Sequence, residues 1–181
     1  MKRTTAALLP LLWLALPAQA EIQEQLQEQY YDLHVTSGES LSRAIDQASP
    51  IRQNGQIYHA YTRWQVQWNF WWREQRDGRC QIDLTRTQLN ATVTLPRLGG
   101  GDAQQRQRFE QYLNALREHE LGHYRIGQAA AAEIDAALLQ TPEYPSCAEL
   151  QQQANQRANA ILQRRGSTTS RPAMAVARAP G

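Results

Sequence analysis

The sequence predicts an α+β fold, a small antiparallel sheet packed on one long helix with a second helix at the C-terminal end. Three observations carry this. Between residues 62 and 95 apolar and polar residues alternate, the period of half-buried strands. From residue 102 the period changes to 3.6 and holds to residue 140. The chain has 181 residues, 41% of them hydrophobic and 20% charged, which suffices for one domain with a real core but not for two.

Residues 1–20 (MKRTTAALLPLLWLALPAQA) read as a cleavable signal peptide. Lys2 and Arg3 precede an apolar run from Ala6 to Leu16, and Ala18-Gln19-Ala20 is a small-x-small cleavage site. The run is shorter than the ~20 residues a membrane span needs. The expectation is a mature chain starting near Glu21, periplasmic or secreted, with no membrane span after cleavage.

The glutamine-rich stretch 21–29 reads as a loosely held lead-in. Tyr31, Leu33 and Val35 alternate with polar residues as a short strand. Ser40 to Ala48 reads as a short helix with Leu41, Ala44, Ile45 and Ala48 on one face, stopped by Pro50. Asn54-Gly55 marks a turn. The clearest strand is 62–70, in which Trp64, Val66, Trp68 and Phe70 form the buried face. After an Asp77-Gly78 turn, Cys80, Ile82 and Leu84 continue the alternation. Leu89, Ala91, Val93 and Leu95 then alternate in the opposite phase, which places a bulge or break between Thr85 and Gln88. Pro96 ends that strand, and Gly99-Gly100-Gly101 follow as a flexible joint.

Asp102 and Gln105 form a capping box that opens the long helix. Phe109, Tyr112, Leu113, Leu116, His119, Glu120, His123, Ile126, Ala130, Ile134 and Leu138 recur at helical spacing until Thr141-Pro142. A straight helix over 102–140 would be ~58 Å long, against ~40 Å across a compact domain of this size. A kink or break near Gly127, or a protruding end, is therefore expected. A second helix is expected over 148–163. Residues 164–181 are low in complexity and read as a disordered tail, which leaves 21–163 as the domain.

The net charge of +2 falls to zero once Lys2 and Arg3 leave with the signal peptide, with 17 Arg then facing 17 Asp and Glu. Four of those arginines (Arg164, Arg165, Arg171 and Arg178) lie in the tail, so the domain is acidic. Binding through neutralised phosphates is excluded on that count, and no nucleic-acid partner is expected. The two cysteines, Cys80 and Cys147, lack CxxC or CxxH neighbours, and in an oxidising compartment they read as one disulfide.

His119-Glu120-Leu121-Gly122-His123 is an HExxH sequence on the long helix. Histidines four residues apart are neighbours on one helix face, so both imidazoles reach a single Zn2+ at about 2.0–2.1 Å. Glu120, next to the first ligand, is placed as general base for water attacking a peptide carbonyl, and as the acid that returns the proton to the departing amine.

The combined pattern resembles a bacterial family of predicted secreted zinc-dependent proteases, domain of unknown function 922. The resemblance runs from about Tyr31 to Leu162. It consists of the strand before Gly38, Thr62-x-Trp64-x-Val66-x-Trp68, Cys80, Leu95-Pro96, HELGH, and Cys147 before an Ala/Asn-rich helix (Ala154, Asn155, Ala158 and Asn159). It implies a zincin-like domain with one Zn2+ per chain, His119 and His123 as ligands and Glu120 as catalytic base. The chain departs from the family after the last helix: Arg164-Arg165-Gly166-Ser167 replaces a Tyr-Asp…Thr-x-His-Gly stretch, and no histidine follows His123.

The third metal ligand stays open. The position six residues after His123 is Ala129, so the extended metzincin pattern is absent. Glu143 lies twenty residues after His123 but in a Pro-flanked turn. Glu133, Asp135, Glu149, His59 and His34 are further candidates. The expected function is a secreted or periplasmic zinc metallopeptidase acting on a peptide or protein substrate, which would add as a strand against Leu89–Leu95. The alternatives are a non-catalytic zinc-binding or structural module with a degenerate site, and an HExxH that only packs the helix. Substrate preference and oligomeric state are not readable.

Overall fold

The computed structural model describes residues 20–169. The stretch read as a signal peptide, through residue 19, and the part of the expected tail from residue 170 lie outside the described residues. In chain order the elements are β1 (Ala20–Val35), α1 (Leu41–Ala48), β2 (Ile51–Gln53), β3 (Gln56–Tyr58), β4 (Tyr61–Glu74), β5 (Cys80–Gly100), α2 (Ala103–Leu139) and α3 (Cys147–Thr169). The architecture is mixed α+β. The main sheet has three strands in the order β1-β5-β4, and β2-β3 is a separate hairpin. Its turn is Asn54-Gly55, both at positive φ (50° and 77°), the backbone that an Asn-Gly pair adopts most readily.

The sheet is not purely antiparallel. β4 and β5 form the expected hairpin, but β1 lies parallel to β5 from Ala20↔Thr85 to Val35↔Gly100. The stretch expected as a loose lead-in is therefore an edge strand. Its carboxylates hold it: Glu24 accepts from Tyr124 Oη (2.6 Å) and Gln128 Nε2 (2.7 Å), and Glu28 pairs with Arg117 (2.9 Å). The central strand is β5, with both edges occupied over Leu89–Thr94, so no peptide can add there.

The expected bulge exists, two residues earlier than predicted. The register shifts opposite Trp71/Trp72, where Leu84 and Ile82 are the partners and Asp83 is the extra residue. Leu84 thereby leaves the inward face of Cys80 and Ile82 and is 37% exposed, while Thr85 and Thr87 turn inward. Pro96 does not end β5. β4 begins at Tyr61 opposite Thr94, so Pro96 lies beyond it, where β1 is the one paired strand beside β5 among the described residues. The glycines beyond it form a fixed turn: Gly100 and Gly101 have φ of 81° and 78°, and a Cβ on Gly100 would sit 2.7 Å from the Val35 carbonyl.

α2 is continuous, capped by Asp102 and Gln105 as predicted, with no break at Gly127. That glycine allows close packing. A Cβ there would lie 3.1 Å from both Leu89 Cδ1 and the Trp64 ring, so the helix approaches the sheet only because the side chain is missing. The helix runs unbroken beyond the diameter of a compact domain because β5, 21 residues long, supports it along its length. α3 continues past the predicted end at 163, and Arg164 and Arg165 bond to Glu133 on α2.

Two apolar clusters flank the middle of α2. One joins Leu33, Val35, Ile45, Val93 and Leu95 to Phe109, Tyr112 and Leu116. The other joins Val66, Ile82 and Leu89 to Ile134 and Leu138, with Leu150, Ala154 and Ala158 of α3. A disulfide links Cys80 to Cys147, and beside it Cys80 and Tyr144 exchange backbone hydrogen bonds.

Candidate metal centre

The HELGH turn lies between these clusters. The buried stripe of α2 includes Phe109, Tyr112, Leu116, Glu120, Gly127, Ala131, Ile134 and Leu138. At 100° per residue, Arg117, Tyr124 and Gln128 fall on one flank of that stripe and His119 and His123 on the other. The first flank holds β1 through Glu24 and Glu28. β1 and β4 border opposite sides of β5, so the histidines face the β4 side. α3 borders that flank as well: Asn155 accepts from Trp68 Nε1 on β4, and Arg164 and Arg165 reach Glu133. From the disulfide end α3 runs antiparallel to α2, towards the HELGH turn.

The two imidazoles converge, with 3.1 Å between His119 Nε2 and His123 Nε2. Two nitrogens bound to one tetrahedral zinc at about 2.0–2.1 Å are ~3.3 Å apart, so the pair fits a single ion. Burial, and after it the neighbouring His119, lowers the His123 pKa from its ordinary value. Both effects favour the neutral imidazole that binds metal.

Glu120 is 1% exposed. Thr62 on β4 donates to its Oε2 (2.6 Å), with the Glu120 carbonyl 3.1 Å from the same hydroxyl. Glu120 Oε1 is buried and has no hydrogen-bond partner. Burial raises the carboxyl pKa, and the Thr62 bond and His119 oppose it only in part. The two convergent imidazoles supply two of the three protein donors that a catalytic zinc site uses, and Glu120 adds a buried carboxylate with one unsatisfied oxygen on the same helical turn.

The other candidate ligands lie elsewhere. Glu143 bonds Gln75 Nε2 (2.5 Å) and Arg79 (2.6 Å) near the disulfide. The sixteen helical residues from His123 to Leu139 alone cover ~24 Å. Glu133 is bound to Arg164 and Arg165, Asp135 to Thr87 in the core, and Glu149 starts α3 at the disulfide end. His59 is held by Asp46 (2.6 Å) and Tyr112 (2.5 Å) at its two ring nitrogens. His34 is paired with Gly99, six residues along β5 from the partner of Thr62. Among the described residues one trio of acidic, cysteine or histidine donors lies within 4.8 Å of one another: Glu74, Cys80 and Cys147, the last two being the disulfide.

Sequence reasoning missed Thr62. The signal was present, because Thr62 shares the parity of Trp64 and Val66 and so faces α2. It also missed the buried Asp46–His59–Tyr112 network, whose members are too far apart in sequence to announce themselves.

Fold and site thus define an α+β domain built around a single HExxH helix. The chain belongs to the family described as bacterial protein of unknown function (DUF922), whose sequence model matches residues 28–170. No curated protein and no solved structure matches the chain. No helix among the described residues is long and apolar enough to cross a membrane.

Proposed function

We propose that this chain is an exported zinc-dependent metallopeptidase of zincin-like architecture. One zinc ion per chain is held by His119 and His123, with Glu120 as general base and a peptide or protein as substrate. The observation that carries the reading is the pair of imidazole nitrogens 3.1 Å apart, on the helical turn where Glu120 keeps a buried carboxylate oxygen without a partner. His119 and His123 would hold the zinc, which when bound would supply Lewis acidity towards a carbonyl and a water. Glu120 takes the proton of the attacking water and returns it to the amine as the peptide C–N bond breaks, leaving a new carboxyl and a new amino terminus. Its burial raises the carboxyl pKa, which strengthens the ionised group as a proton acceptor. The substrate's place is the outer edge of β4, which pairs only with β5 among the described residues and borders the histidine flank. An extended peptide pairing there takes the role first expected of Leu89–Leu95. Export is supported by residues 1–20 and by the disulfide.

A second reading, a zinc-binding or structural module without turnover, is favoured by one observation. No third protein donor stands near both histidines among the described residues. Zinc content of the mature chain, together with its peptide hydrolysis, separates the readings. The expected result is one zinc per chain, absent from a His119→Ala/His123→Ala variant, with Glu120→Gln keeping zinc and losing peptide hydrolysis. A parent that takes up no zinc at micromolar free metal sinks the metallopeptidase. Zinc uptake with parent and Glu120→Gln equally inert against a peptide library selects the binding module.

A further inference from the structure

We infer that Thr62 is a positioning residue for Glu120, and that it ties the orientation of that carboxylate to the strand at which a substrate docks. The inference rests on the metallopeptidase reading. Thr62 is half-buried and its one hydroxyl proton is directed at Glu120, 2.6 Å from Oε2 and 3.1 Å from the carbonyl of the same residue. A Glu side chain has three rotatable bonds, and burial alone does not select among its rotamers. With Oε2 held by β4, the remaining oxygen Oε1 is fixed in space, buried and unpartnered. An unsatisfied buried acceptor is retained where it has a task, since removing it would stabilise the fold.

The hydroxyl itself matters here. Valine has the same shape and an equal or better strand propensity, so packing against α2 gives no reason to prefer threonine. Thr62 also belongs to β4, whose outer edge pairs with no strand among the described residues, and the next inward-facing residue, Trp64, meets α2 at Gly127. A peptide pairing with that edge would brace the backbone on either side of Thr62, and so the hydrogen bond that aims Glu120.

The test compares Thr62→Val and Thr62→Ser with Glu120→Gln in the full mature chain, using Co2+ as a spectroscopic substitute for zinc. Circular dichroism first confirms that each variant is folded. The visible cobalt band should move in Thr62→Val in the same direction as in Glu120→Gln, and stay at the parent position in Thr62→Ser. On any peptide the parent hydrolyses, Thr62→Val should lower kcat by about 10–100-fold with KM nearly unchanged, and serine should restore it. Cobalt uptake with a band that responds to Glu120→Gln but not to Thr62→Val overturns the inference alone. Failure of the parent to take up cobalt removes the metallopeptidase reading and the inference with it.

Discussion

Glu120 stands where a fold selected for stability alone would place an apolar residue: on the inward stripe of α2, with one oxygen unsatisfied. Burial raises its pKa above the unfolded value of about 4.3, so the folded state holds that proton more tightly than the unfolded chain does. For a carboxyl shifted in this direction, stability is gained as pH falls through the folded pKa and lost as pH rises through it. At neutral pH the raised pKa therefore opposes folding. Metal-free Glu120→Gln should melt a few degrees above the parent at neutral pH, with the gap closing towards about pH 4. Calorimetry at the two pH values checks it, and a variant less stable than the parent at neutral pH would contradict this account of burial. The convergence of His119 and His123 was legible because i, i+4 spacing is a property of any helix. Thr62 was half legible: alternation turns it inward, but which helical turn it meets depends on how closely α2 approaches the sheet, and Gly127 sets that through its contact with Trp64 and Leu89.

At the scale of elements, β1 shows what local patterning does not encode. Its polar residues looked like a solvated lead-in because parallel pairing joins segments 65 positions apart and leaves no short-range trace. The bulge was legible as a phase change in β5 and displaced by two residues, since Leu84 can belong to either phase. What secures β1 is a pair of carboxylates that grip α2 on either side of the HELGH turn. The hydrogen bond from Tyr124, and then that from Gln128, lowers the pKa of Glu24, and the Arg117 hydrogen bond lowers that of Glu28. Carboxyls lowered in this way contribute stability above the unfolded pKa of about 4.3 and lose it as pH falls through their folded values. The amides of Gln25–Gln29 should therefore lose hydrogen-exchange protection near pH 3, ahead of those in β4, after correction for intrinsic rates. A Glu24→Gln/Glu28→Gln chain should show the same loss at neutral pH. Equal protection of β1 and β4 across that range would mean that the backbone ladder, not the clamp, holds the strand.

The whole molecule is fastened at its two ends by different means, with the histidines between. At the α1 end, Gln105 donates to the carbonyls of Thr36 and Glu39, and His59 bridges Asp46 and Tyr112. At the other end the Cys80–Cys147 bond spans 67 positions and starts α3 beside the β4–β5 turn. The disulfide was legible from cysteine count and compartment, whereas the extent of the molecule was not. A compact-domain estimate assumes similar dimensions in every direction, and a 21-residue strand under a 37-residue helix departs from that. Closing a loop of this length stabilises a fold by about 4 kcal/mol in the chain-entropy account. Cys80→Ala/Cys147→Ala should then melt about 10 °C below the parent. α3 should remain helical, because Leu150, Ala154, Ala158 and Ile161 still pack on α2 and β4. Zinc uptake by the same variant should stay at the parent level, since one turn of α2 sets the spacing of His119 and His123 and that turn lies far from the staple. Calorimetry and metal content of the variant test both statements. Zinc lost together with the staple, in a chain that still folds, would mean that the seating of α3 supplies part of the metal site and that α2 does not define it alone.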